Sequence, residues 1–127
     1  MLYSILCYNS EAAVNAWTQA EDDAVMANLN AVHGKLASQG KMGPAVRLQA
    51  TGTARTLMKG HQPPLVIDGP FAETKEQLLG FYVLDCADLD EAVEWAKELE
   101  KANPGVGAYE VRPVRLYLPG GDAKPSQ

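Results

Sequence analysis

Asp68-Gly69-Pro70-Phe71-Ala72-Glu73-Thr74-Lys75-Glu76 stands between two apolar runs, Leu65-Val66-Ile67 and Phe81-Tyr82-Val83-Leu84. Gly69 and Pro70 force a turn, because glycine reaches backbone conformations that other residues avoid and proline fixes its own φ. The turn is followed by an aromatic residue and three charged ones. This pattern predicts an exposed loop, pinned to the body by Phe71, with Glu73, Lys75 and Glu76 free for ion pairing or ligand contact. The flanking runs can pair as a long-looped hairpin, which sets the loop at one end of a sheet.

Outward from the loop, Leu2 to Tyr8 reads as a strand with Tyr3, Ile5 and Cys7 on one face and Ser4 on the other. Thr18 and Glu21 form a capping box, and Asp22 and Asp23 add negative charge where the positive end of a helix dipole lies. Val25, Leu29, Val32 and Leu36 then repeat at helical spacing, and Gly40 stops the helix. Ala45 to Gln49 and Thr53 to Lys59 read as short strands between the Gly43-Pro44 loop and the turn at residues 60–64. Asp88 and Glu91 start a second helix with its stripe at Leu89, Ala92, Val93, Ala96 and Leu99, and Pro104-Gly105 ends it. Tyr109 to Leu118 reads as the last strand.

Strand, helix, several strands, helix, strand is the order of an α+β, ferredoxin-like split βαβ sandwich with both helices on one sheet face. The other face then needs cover. Tyr82, Leu84, Val111 and Tyr117 are expected to offer apolar surface there to a second subunit, giving a two-fold homodimer. Residues 1–118 are expected to form a single domain and 119–127 a flexible tail.

A chain of 127 residues can bury about 68% of its unfolded surface, so one core suffices without metal or disulfide. The formal charge of −5 opposes contact with nucleic acid or anionic membrane, which need clustered Lys and Arg. No long apolar run or secretion-signal pattern occurs, so a soluble, cytoplasmic protein is expected. Cys7 and Cys86 sit in apolar segments without metal-ligand spacing and read as reduced core thiols. A phosphate-binding glycine loop, zinc spacing and a serine nucleophile motif are all missing, so no cofactor and no metal are expected.

The run from Asp68 to Gln77, the strand entry Gly80-Phe81-Tyr82, the helix start Asp88-Leu89-Asp90-Glu91-Ala92 and Glu110-Val111-Arg112-Pro113 together resemble the DGPF-domain, YCII-related family. The resemblance covers about residues 1 to 117 and implies a ferredoxin-like dimeric α+β barrel. Some members of that family occur alongside extracytoplasmic-function sigma factors, and the family's activity is largely uncharacterised. Where members commonly carry two glycines, this chain has Leu79-Gly80, which argues against very close backbone approach at position 79.

Three residues are candidates for acid-base chemistry. Asp68 follows an apolar strand and precedes a rigid turn, so its pKa can be moved by burial or by Lys75. His33 borders the stripe of the first helix, and Tyr82 alternates along its strand toward either a cleft or an interface. The plainer alternative is that Asp68 caps the turn and His33 is an ordinary edge residue. Glu73, Lys75 and Glu76 are candidates for substrate binding. Arg112 and Arg115 fall on opposite faces of a regular last strand, and either can hold the acidic loop.

Two functions fit these residues. One is a small cofactor-independent enzyme that uses a carboxylate with His or Tyr for proton transfer on a small polar metabolite. The other is a non-catalytic ligand-binding or regulatory dimer in which the charged loop recognises a metabolite or a partner protein.

Overall fold

β1 (Leu2–Ser10) occupies the interior of the main sheet, with Tyr3, Ile5 and Asn9 buried on its inward face and Cys7 half-buried between them. The computed structural model describes residues 1–125. After β1 come α1 (Glu11–Asn15), α2 (Gln19–Ser38), β2 (Met42–Arg47), β3 (Arg55–Met58), β4 (Leu65–Asp68), β5 (Glu76–Asp85), α3 (Leu89–Ala102) and β6 (Gly107–Pro113). The main sheet runs β2-β5-β1-β6, antiparallel throughout. This is the ferredoxin-like order expected from the alternation of elements.

Both long helices form as their caps dictate. Thr18 Oγ1 accepts from the Glu21 amide at 3.1 Å and Glu21 answers to the Thr18 amide at 3.0 Å, so α2 starts with a closed capping box. Gly40 ends it at φ 69°, a conformation that penalises residues with a Cβ. Asp88 caps α3 through the Glu91 amide at 2.8 Å. Leu29, Val32 and Leu36 of α2 and Ala92, Ala96 and Leu99 of α3 pack on Tyr3, Ile5, Tyr82 and Leu84. No helix among the described residues is long and apolar enough to cross a membrane.

Several expectations are corrected. The strands flanking Asp68–Glu76 do not pair with each other: β4 pairs with β3 in a separate two-stranded sheet, and β5 is taken by β1 and β2. Tyr82 and Leu84 do not face the uncovered side of the sheet, because β1 register sets them opposite Ile5 and Tyr3 in the core, and Val111 packs against the same core. β2 begins at Met42 and runs through Pro44, with a register shift against β5 between Met42 and Ala45. An edge strand tolerates the missing amide of proline there. β6 stops at Pro113, so Arg115 lies beyond the strand, and Arg112 approaches Glu110 rather than the acidic loop. Residues 119–125 carry no helix or strand, and residues 126 and 127 of the expected tail lie outside the described residues.

Candidate functional site

Between α2 and the sheet is a cavity of about 220 Å³, and the residue sizes on its floor explain why it is there. The register of β1 sets Cys7 opposite Gly80 on one side and Tyr109 on the other, while Ala45 of β2 lies opposite Tyr82. Three of these floor residues are small, so the apolar helix face above them is not met and a hollow remains. Val25, Met26, Leu29 and His33 form that helix face, spaced so that all four lie on the same side of α2. Trp17, at the junction of α1 and α2, closes one wall.

His33 reaches into this space one turn beyond Leu29. Its Nε2 is 2.9 Å from the Tyr82 hydroxyl, and the two rings lie 5.3 Å apart between centroids at 58°. Burial lowers the His33 pKa below its ordinary 6.5 and pushes the Tyr82 phenol up to about 12. Burial also raises the Cys7 thiol and the Tyr109 phenol, with a hydrogen bond from Tyr109 partly offsetting the effect at Cys7. These four groups are therefore neutral near pH 7. The one formal charge on the wall is Arg47, and it is already held by both carboxylate oxygens of Asp22, at 2.7 and 3.5 Å.

The structure thus joins two of the three acid-base candidates and separates the third. Asp68 does not line the cavity. Its side chain is 87% exposed and pairs with Arg55 Nε at 3.0 Å, across the β3–β4 register. The turn that follows is fastened through backbone groups: the Gly69 amide donates to Ala54 O at 2.9 Å, and Thr56 Oγ1 donates to Gly69 O at 2.8 Å. Gln77 Nε2 holds the far end of the loop through the carbonyls of Ala72 and Thr74. Glu73, Lys75 and Glu76 are exposed, and none of them lines the cavity. Phe71, expected to anchor the loop, is instead 77% exposed.

Residue-by-residue reading of motifs passes over Arg47, Asn103 and Tyr109, which come from three different elements and share no local pattern. The signal that could have found them is strand pairing: Cys7 lies opposite Tyr109, and Asn103 follows α3 just before β6. Gly80 also proves to be the close-approach position rather than residue 79, because a Cβ there would strike the Val46 carbonyl. Cys86 is buried and free, as expected of a core thiol, whereas Cys7 is only half-buried at the cavity floor.

Comparison with known proteins agrees with this architecture. A YCII-related domain matches residues 1–117. An uncharacterised protein of Rhizobium meliloti (strain 1021) is 55% identical over 120 residues, covering 94% of this chain and 97% of its own length. Among solved structures, the 5-chloro-2-hydroxyhydroquinone dehydrochlorinase of Burkholderia phenoliruptrix AC1100, in complex with 2,5-dihydroxybenzoquinone, superposes with a TM-score of 0.53 at 17% identity. That similarity spans 91% of this chain and 94% of the dehydrochlorinase, and at such low identity it speaks for a shared fold. With the family match and the close relative both spanning nearly all of its length, the chain belongs to the YCII-related domain family.

Proposed function

We propose that the protein is a small enzyme that moves a proton on a compact, mostly apolar molecule bearing a hydroxyl group, bound in the cavity over His33 and Tyr82. The observation that carries this reading is the 2.9 Å hydrogen bond between His33 Nε2 and the Tyr82 hydroxyl within a largely apolar hollow. In the neutral tautomer that carries its proton on Nδ1, His33 Nε2 accepts from Tyr82, and the phenol oxygen is left to accept from a ligand. As the ligand hydroxyl gives its proton to that oxygen, the proton of Tyr82 crosses to Nε2. The products are a ligand oxyanion, an intact tyrosine and an imidazolium, and the transfer requires no cofactor.

The lining, whose one charged residue Arg47 is already paired with Asp22, argues for an uncharged, mostly apolar ligand over the small polar metabolite expected beside the acidic loop. A dry cavity of about 150 Å³ accepts benzene, so this one has room for a single substituted ring. The ring-shaped dihydroxyquinone bound by the dehydrochlorinase of similar fold supports that size class. A two-fold dimer belongs to the same reading. Leu57, Val66 and Phe71 on the β3–β4 arm and Leu116 and Leu118 after β6 are exposed apolar groups suited to a second copy of the chain.

A thermal-shift screen of small hydroxylated ring compounds tests the site. A ligand at about ten times its Kd adds about 1.4 kcal/mol, a Tm rise on the order of 5 °C for a chain of this length. Tyr82→Phe and His33→Gln should weaken the response, and Asp68→Asn should keep it. Loss of the response in Asp68→Asn alone would return the site to the acidic loop.

A further inference from the structure

We propose that Asn9 is a second hydrogen-bonding subsite of the cavity over His33 and Tyr82, whose Nδ2 donates to a carbonyl-type oxygen on the ligand. The inference rests on the His33–Tyr82 reading of the same cavity and adds to it a requirement on the substrate. Asn9 lines that cavity from near the end of β1 and is only 6% exposed, the one buried polar residue among those described. Its Oδ1 is spent: the Ser10 amide donates to it at 2.7 Å. An amide N–H needs an acceptor, so this bond fixes which way the carboxamide is turned. Its Nδ2 is left with no hydrogen-bond partner among the described residues. The one unpartnered side-chain atom sealed from its surroundings there is Asn103 Oδ1, so Nδ2 of Asn9 keeps an open surface.

A nearly buried donor without an acceptor is unfavourable, and on a cavity wall a ligand oxygen can relieve it. Asn9 stands four residues along β1 from Ile5, which lies opposite Tyr82, a separation of about 13 Å of strand. A ring with its hydroxyl at Tyr82 and an oxygen directly across from it, hydrogen-bonded at both ends, has that reach. The substrate class is therefore a hydroxylated aromatic ring bearing a carbonyl group. When the ring hydroxyl gives its proton to the Tyr82 oxygen, the negative charge left behind spreads through the ring to the carbonyl oxygen. Nδ2 donates to it there, so Asn9 both orients the ring and stabilises the oxyanion. A ring without the acceptor leaves Nδ2 unpaired, which is the condition under which a polar site discriminates strongly. Asn9 and Asn103 also line a smaller cavity of about 50 Å³, so a water held there is the competing partner for Nδ2.

The test uses the full chain and a matched pair of probes, 4-hydroxyacetophenone and 4-ethylphenol, titrated by NMR. The wild type should bind the ketone about tenfold more tightly. Asn9→Asp keeps an oxygen for the Ser10 amide and replaces the donor, and Asn9→Leu removes both groups; each should bring the ratio to about one or below. His33→Gln should weaken both probes alike. In the wild type, the side-chain amide signals of Asn9 should move with the ketone and stay in place with 4-ethylphenol, a readout independent of how any variant folds. Equal affinities in the wild type, the result expected if Nδ2 serves only a water, overturn the subsite; so does a preference that survives both Asn9 variants. If the preference depends on Asn9 while His33→Gln changes nothing, the His33–Tyr82 reading falls instead. No binding of either probe at millimolar concentration overturns both.

Discussion

Tyr82 and His33 are each unremarkable alone, and what distinguishes them is that burial leaves each the other's polar partner. Tyr82→Phe keeps the ring but strips the partner of Nε2, so stability should fall by about 1 kcal/mol in urea unfolding, and proton transfer should be lost. The pH dependence follows from the direction of the His33 shift. An unfolded histidine titrates near 6.5 and the folded one below it, so between those values the unfolded chain binds more protons. The His33 contribution to stability is present above 6.5 and is lost as pH falls through the folded value. Activity should decline over the same acid range as the base is protonated, and His33→Gln should flatten the stability profile measured by thermal melts from pH 7 to pH 5. At this scale the sequence names both residues as acid-base candidates. It misplaces Asp68, because an apolar strand before an aspartate looks like burial, whereas every residue of β4 is in fact exposed.

The elements make a similar contrast. Helices α2 and α3 are legible from Thr18, Asp88 and Gly40, since caps and stripes are local signals. The partner of β4 is not. Six residues separate β3 from β4 and seven separate β4 from β5, a difference too small for loop closure to decide between them. The choice is made by β1 and β2 occupying both edges of β5, which is a non-local fact. Gly80→Ala tests how closely β2 and β5 approach: the added methyl meets the Val46 carbonyl, so a loss of about 1–3 kcal/mol is expected, together with a reshaped cavity floor. Glu91 tests the junction of α3 with β2. It accepts from the Ala87 amide at 2.8 Å, Lys41 Nζ at 2.6 Å and Trp95 Nε1 at 3.1 Å, and these bonds hold its carboxyl down to about 2. Its contribution is present above 4.5 and lost as pH falls toward about 2. Glu91→Gln should lower Tm at pH 7 and remove part of the acid sensitivity seen in the wild type.

For the whole molecule, the sheet order and the gathering of both long helices on one side follow from the sequence, while the residues of the covered and open faces do not. A strand has two faces, and alternation alone does not say which one the helices take. Tyr82, Leu84 and Val111 went to the helices, so the proposed dimer would use instead the exposed apolar residues of the β3–β4 arm and of the segment after β6. Sedimentation at micromolar concentration should therefore give a dimer, and charged replacements such as Phe71→Glu with Val66→Glu should give a folded monomer. A monomeric wild type would contradict the dimer while leaving the cavity untouched. On the proposed reading, the cavity over His33 and Tyr82, and not the charged loop, is where this protein binds and works on its ligand. The most direct measurement is an NMR titration of the full chain with hydroquinone, following the His33 imidazole, the Tyr82 ring and the amides of residues 68–76. The prediction is that His33 and Tyr82 shift together, with binding weakened by Tyr82→Phe and unchanged by Asp68→Asn. Shifts confined to residues 68–76, with binding abolished by Asp68→Asn and intact in Tyr82→Phe, would contradict it.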